Sequence, residues 1–134
     1  LRGVGESEEA RATAESSVRL MTGKLGEEHP FTLCAALNLA NVLDDLGDHA
    51  AAENLQRETW ERLVKVQGRL HPNTLVCEAN LAVTLRDAQR ADEARALREN
   101  VLVPLRQVLG ENHPVLIAVL DWRRVSRVLE PFPW

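Results

Sequence analysis

Three His-Pro pairs, His29-Pro30, His71-Pro72 and His113-Pro114, recur at an interval of 42 residues in this 134-residue chain. Histidine is a common metal ligand, and imidazoles drawn from distant parts of a chain can close around one zinc ion. Two acid pairs, Glu27-Glu28 and Asp44-Asp45, are of the type that shares work as general acid and base. Cys34 and Cys77 could serve as nucleophiles or ligands. Trp122 beside Arg123, Arg124 and Arg127 could stack on bases and neutralise phosphate. Whether any of this chemistry takes place depends on the elements that position these groups.

Sliding the sequence against itself by 42 residues aligns far more than His-Pro. Thr32-Leu33 returns as Thr74-Leu75 and Asn38-Leu39-Ala40 as Asn80-Leu81-Ala82. Leu1, Leu43 and Leu85 coincide, as do Ala10, Ala52 and Ala94, and Gly26, Gly68 and Gly110 each stand three residues before a His-Pro. Self-similarity at such a period marks a solenoid. Within each unit the apolar spacing is helical: Ala36, Leu39, Ala40, Leu43 and Leu46 follow i, i+3, i+4, i+7, and a second run surrounds Trp60. Gly47-Asp48 reads as a C-terminal glycine followed by an N-cap acid, and Gly68 to Pro72 ends the second run. The spacing predicts helices near 6–24, 31–46, 49–67, 73–88, 91–108 and 115–129, and no strand.

The pattern HPxTLxxxxNLAxxL, then Gly-Asp, a central Ala and a closing LG or QG, resembles the 42-residue tetratricopeptide repeat of the kinesin-light-chain type. It is also similar to Arg-rich versions in actinobacterial regulators. The resemblance implies an all-α, right-handed superhelix of about six antiparallel helices. On this reading residues 1–28 are the second helix of a preceding repeat, 29–70 and 71–112 are full repeats, and 113–134 form a further first helix or cap with an extended tail. Two departures stand out: Asn-Leu-Ala becomes Trp122-Arg123-Arg124 in the third unit, and Gly47 becomes Gln89.

This frame decides among the chemistries. Equivalent atoms in adjacent repeats lie one helix-packing distance apart, about 8–10 Å, whereas ligands of one zinc sit within about 2.1 Å of it. The histidines are therefore expected to build polar corners between repeats, and His49 to pack where such repeats carry an aromatic residue. The acid pairs read as solvated faces, and the cysteines as reduced, buried or half-buried thiols. The stretch RGVG lacks the Lys-Ser/Thr of a phosphate loop and reads as a turn. No catalytic residue, metal or cofactor is expected.

Net charge is −4 with both signs mixed, and neither a polybasic block, a signal peptide nor a membrane-length apolar run is present. Neither nucleic acid nor membrane is expected as a partner, and the cytoplasm is the expected compartment. Arg supplies all basic residues but Lys24 and Lys65, in an Ala- and Leu-rich background, which suggests a GC-rich bacterial genome. Leu1 falls mid-repeat without an initiator Met, so the chain reads as a fragment of a longer protein.

Taking about 100° per residue, one face of the first helix in each unit turns away from Leu39, Ala40 and Leu43. In tetratricopeptide solenoids that face lines the concave surface where partners bind. The resemblance therefore nominates Cys34, Leu37, Asn38, Asn41, Asp45, Val76, Ala79, Asn80, Val83, Arg86, Asp87 and Trp122 as a peptide-binding groove, with neighbouring helices covering that face as the alternative. The expected function is a non-catalytic protein-interaction module in a larger bacterial regulator or adaptor, holding a protein or peptide partner. The alternative is self-association through the solenoid ends or the tail Pro131-Phe132-Pro133-Trp134. Asn41 and Asn80 match the asparagines of carboxylate-clamp tetratricopeptide domains. Leu37, Ala118 and Trp122 stand where that clamp carries its cations, so acidic tails are not the expected ligand.

Overall fold

The computed structural model describes residues 4–110 and 112–122. Six helices follow in chain order: α1 (Val4–Leu25), α2 (Pro30–Asp45), α3 (His49–Gln67), α4 (Pro72–Asp87), α5 (Ala91–Leu109) and α6 (Pro114–Leu120), with no strand among the described residues. Consecutive helices pack as antiparallel neighbours, and α2 also touches α4. The result is an all-α solenoid. Val4 and Gly5 belong to α1, so the part of RGVG that is described is helix, not turn.

One corner is written three times. Gly26, Gly68 and Gly110 sit at φ +93°, +92° and +87°, a left-handed conformation open to glycine at little cost. The glycine carbonyl accepts from the backbone N–H of the following histidine in each case. Each histidine then caps the next helix: Nδ1 of His29, His71 and His113 accepts from the N–H of Phe31, Asn73 and Val115, all at 3.1 Å. Proline follows at the first helical position, where its missing N–H costs nothing.

The turns within repeats diverge. Gly47 at φ +86° ends α2 and Asp48 caps α3 by accepting from the Ala51 N–H at 3.2 Å. One repeat later Gln89 holds the same left-handed conformation at φ +63°, and Arg90 makes no side-chain cap. Arg90 bonds instead to Glu53 at 2.6 Å and Glu93 at 2.8 Å, tying the start of α5 to α3.

The core runs along the axis. Leu33 and Leu37 of α2 meet Leu63 of α3 and Cys77 of α4. Leu75, Val76 and Ala79 of α4 join Val101 and Leu105 of α5 and Val115, Leu116 and Val119 of α6. Burying a leucine-sized side chain contributes about 1.5–3 kcal/mol, so these clusters hold successive repeats together. The expected helix over 115–129 is corrected at its end: α6 stops at Leu120, and Trp122 turns left-handed at φ +58°. The reason is visible in its packing, for Trp122 docks, beside Leu97, on the cluster of Leu81, Leu85 and Ala94. Its ring is flanked by the Arg86 and Arg98 guanidinium groups, 5.2 and 4.2 Å from the centroid. Arg123, Arg124, Arg127 and the tail from Pro131 to Trp134 lie outside the described residues.

Candidate functional site

The chemistry-bearing residues are occupied structurally. The three repeat histidines cap helices through Nδ1, and among the described residues no group of three His, Cys, Asp or Glu side chains is placed to hold a metal ion. Glu27 and Glu28 pair with Arg62 and Lys65 of α3 at 3.2 and 2.7 Å. Cys34 and Cys77 are free and buried. Burial pushes the Cys34 thiol up to about 11 and raises that of Cys77 further, the latter with help from the Glu78 charge. Neither is an activated thiol. The Cys77 Sγ donates to the Gln56 carbonyl at 3.3 Å.

The nominated groove divides into two parts. Cys34, Leu37, Val76, Ala79, Asn80 and Val83 are each at most 5% exposed. They do not form an open apolar floor, which corrects the helical-wheel projection. The cause is that α4 packs against α3 and α5 and also meets α2, and its side chains are buried from Pro72 to Leu85. A helix enclosed this way has no free face. Trp122 belongs to the cluster at the α4–α5 end, with exposed Arg86 against its ring, and Ala118 is half-buried.

Asn38, Asn41 and Asp45 behave differently. They line a trough of about 590 Å³ between α1 and α2, together with Glu9, Ala10, Thr13, Ala14 and Ser17 of α1 and Ala35 and Val42 of α2. Asn41 is 7% exposed, and its Oδ1 has no hydrogen-bond partner. Gln56 and Thr59 of α3 also carry buried polar atoms without partners. The trough walls are small and polar, so a main chain could approach closely and find amides to bond.

Asp87 sits at the α2–α4 contact rather than in a groove. The Asp44 carboxylate is 2.5 Å from His49 Nδ1 and faces Asp87 from across the repeat boundary. Burial raises the Asp87 carboxyl to about 6, its bond to Asp44 and the Asp44 charge add to the shift, and Arg86 and His49 oppose it. His49 thus forms a side-chain hydrogen bond with Asp44 where packing was expected. A further cavity of about 260 Å³ opens between α3, α4 and α5. There Trp60 Nε1 donates to Glu78 Oε1 at 2.7 Å, and burial raises the Glu78 carboxyl against the effects of Trp60 and Arg69. The wheel analysis missed this pair. Its one signal was a double departure from the repeat, Glu78 standing where the first unit has Ala36 and Trp60 where the next has Leu102.

Helical hairpins stacked at a fixed interval, with side chains from two units closing each core cluster, define a repeat solenoid. The chain belongs to the tetratricopeptide-repeat family, in its kinesin-light-chain-like type: two family profiles, each described as tetratricopeptide repeat, match residues 1–63 and 74–115. No curated protein matches it. Tetratricopeptide repeats generally mediate protein–protein interaction and are typically non-catalytic. Among the described residues no helix is long and apolar enough to cross a membrane.

Proposed function

We propose that this chain is a non-catalytic interaction module of a larger bacterial cytoplasmic regulator or adaptor, and that it receives a segment of a partner protein over the Asn38–Asn41–Asp45 face of α2. The observation that supports this is the α1–α2 trough, where those three residues gather around an amide oxygen that lacks a partner. That oxygen is closed to solvent, so a bound segment recovers the cost of an unbonded group, about 1–3 kcal/mol, only if the amide turns outward. Glu9 and Asp45 make the rim acidic, so neutral or basic segments are favoured over acidic tails. The test is selection from a random peptide library displayed on phage, run on the wild type and on Asn41→Ala. Ligands that are apolar or basic and lose affinity with Asn41→Ala support the reading. Enrichment of acidic C-terminal peptides, or indifference to Asn41, would contradict it.

A second reading is association of copies through the solenoid end formed by α5 and α6. Val103, Val108, Ile117 and Leu120 are 40–57% exposed there, a larger apolar display than a free surface of small area needs. Light scattering over a concentration series separates the two, because stacking must grow with concentration.

A further inference from the structure

The cavity between α3, α4 and α5 lies apart from the α1–α2 trough and shares no residue with it. It is lined from α4 by Glu78, which is only 6% exposed. The 42-residue period marks this place as apolar: the equivalent of Glu78 is Ala36 in the preceding unit and Leu120 in the following one, and the equivalents of Trp60 are Val18 and Leu102. Two departures from the repeat therefore meet at one point, joined by the bond from Trp60 Nε1 to Glu78 Oε1 at 2.7 Å. A neutral N–H answers one oxygen of the carboxylate but leaves its charge without a counter-ion, and buried charges are ordinarily paired. Among the described residues no Lys, Arg or His forms an ion pair with Glu78, and Arg69 acts on it through charge without a hydrogen bond.

The rest of the lining says which counter-ion fits. Leu81, Leu97 and the Trp60 indole make the space beside the carboxylate apolar and aromatic, surroundings in which an indole ring attracts a desolvated cation strongly. Arg57, also in the lining, is held by Glu53 at 2.9 Å. The charges of Glu61 and Arg69 offset each other, and both side chains are exposed, as is Asn100, so the cavity reaches solvent. The charge left over is that of Glu78. The volume of about 260 Å³ falls below the range of about 300–1,000 Å³ usual for small-molecule sites, so the occupant is a short group. With Oε1 bonded to Trp60, the carboxylate lacks the free pair of oxygens that matches the planar fork of a guanidinium, whereas a compact ammonium needs only one. We propose that this cavity binds a primary ammonium group on a short alkyl arm, with Glu78 accepting its N–H and Trp60, Leu81 and Leu97 packing on the arm. Such a group is carried by a free aliphatic amine and by a lysine side chain of a partner protein.

The Trp60 indole N–H is the reporter. In the whole chain labelled with ¹⁵N, its NMR signal is the indole signal that Trp60→Phe removes. Butylammonium chloride is titrated against a sodium chloride blank up to about 20 mM, a range suited to so small a ligand. The expected result is a saturable shift of the Trp60 signal. Butylguanidinium should bind more weakly, and butanol, which has the arm without the charge, should give no saturable shift. Glu78→Gln keeps the size and an acceptor for Trp60 while removing the charge, and should weaken binding about tenfold or more, the value of a hydrogen bond to a charged group. Arg69→Ala removes a repelling charge and should tighten binding. Circular dichroism confirms that each variant is folded. Acetyl-Gly-Lys-Gly-amide separates the two sources: tighter binding than butylammonium gives the site to a partner's lysine, weaker binding gives it to a free amine, and either supports the site. No saturable shift with butylammonium or the lysine peptide, an equal response to butanol, or binding that Glu78→Gln leaves intact overturns the proposal. Tighter binding of butylguanidinium than of butylammonium also overturns it, in favour of an arginine-type ligand.

Discussion

The α1–α2 face and the α3–α4 face stand at equivalent positions of the repeat, and among the described residues only the second is covered by another helix. Ala10 lines an open trough while Ala52 is fully buried; Asn38 is half-buried while Asn80 is 1% exposed. At these two pairs of identical residues the difference lies in whether a helix lies across them. Exposure of a residue in this solenoid therefore depends on its position along the array as much as on its type. Substitutions at equivalent sites in the two faces should behave differently.

The largest effect belongs to a side chain that packs on the covered face. Leu37→Ala is expected to cost about 2–5 kcal/mol, as a truncated core leucine does, read from urea unfolding followed by circular dichroism. A loss below about 0.5 kcal/mol, the range of ordinary surface changes, would restore Leu37 to an exposed groove floor. Next comes a matched pair. Ala52→Leu should overpack the covered face and destabilise by about 1–3 kcal/mol, while Ala10→Leu in the open one should stay within about 0.5 kcal/mol of wild type. Equal melting temperatures for the two variants would erase the distinction between the faces.

The smallest contrast is electrostatic. An acid held above its ordinary value binds its proton more tightly in the folded chain than in the unfolded one. Asp87, raised to about 6, therefore weakens the fold as pH rises through about 6, and that loss is recovered as pH falls towards the ordinary carboxyl value near 4. Asp87→Asn should raise the melting temperature at pH 8 and lose that advantage near pH 4. A gain from Asp87→Asn that is constant across the range would remove the proton from the explanation.

Local rules made much of this legible in advance. The Gly-x-x-His-Pro corners were visible because left-handed glycine and a proline at the first helical position are constraints on single residues. The hairpins were visible because a 42-residue period carries helical spacing with it. Faces were harder, since a wheel drawn for one helix contains no neighbours. Val76, Ala79 and Val83 looked outward on α4 because nothing in that segment announces that α2, α3 and α5 all pack on it. Asn38, Asn41 and Asp45 were placed on an accessible face by the same wheel, and among the described residues they line the α1–α2 trough. The end of α6 was illegible, because Trp122 leaves helical geometry to reach a cluster formed by α4 and α5. Trp60–Glu78 was hidden by being a polar pair at positions the period marks as apolar.

The distinction between the two faces can be measured at one pair of equivalent atoms. In a chain carrying Cys34→Val and Cys77→Ala, the residues found at the corresponding positions of the neighbouring repeat, a single thiol is introduced by Asn38→Cys or by Asn80→Cys, and its alkylation by a maleimide is timed under native conditions. The open face predicts rapid labelling for Asn38→Cys and labelling on the order of a hundredfold slower for Asn80→Cys, which must wait for local opening of the covered face. Equal rates at the two positions, with both variants folded, would contradict the account.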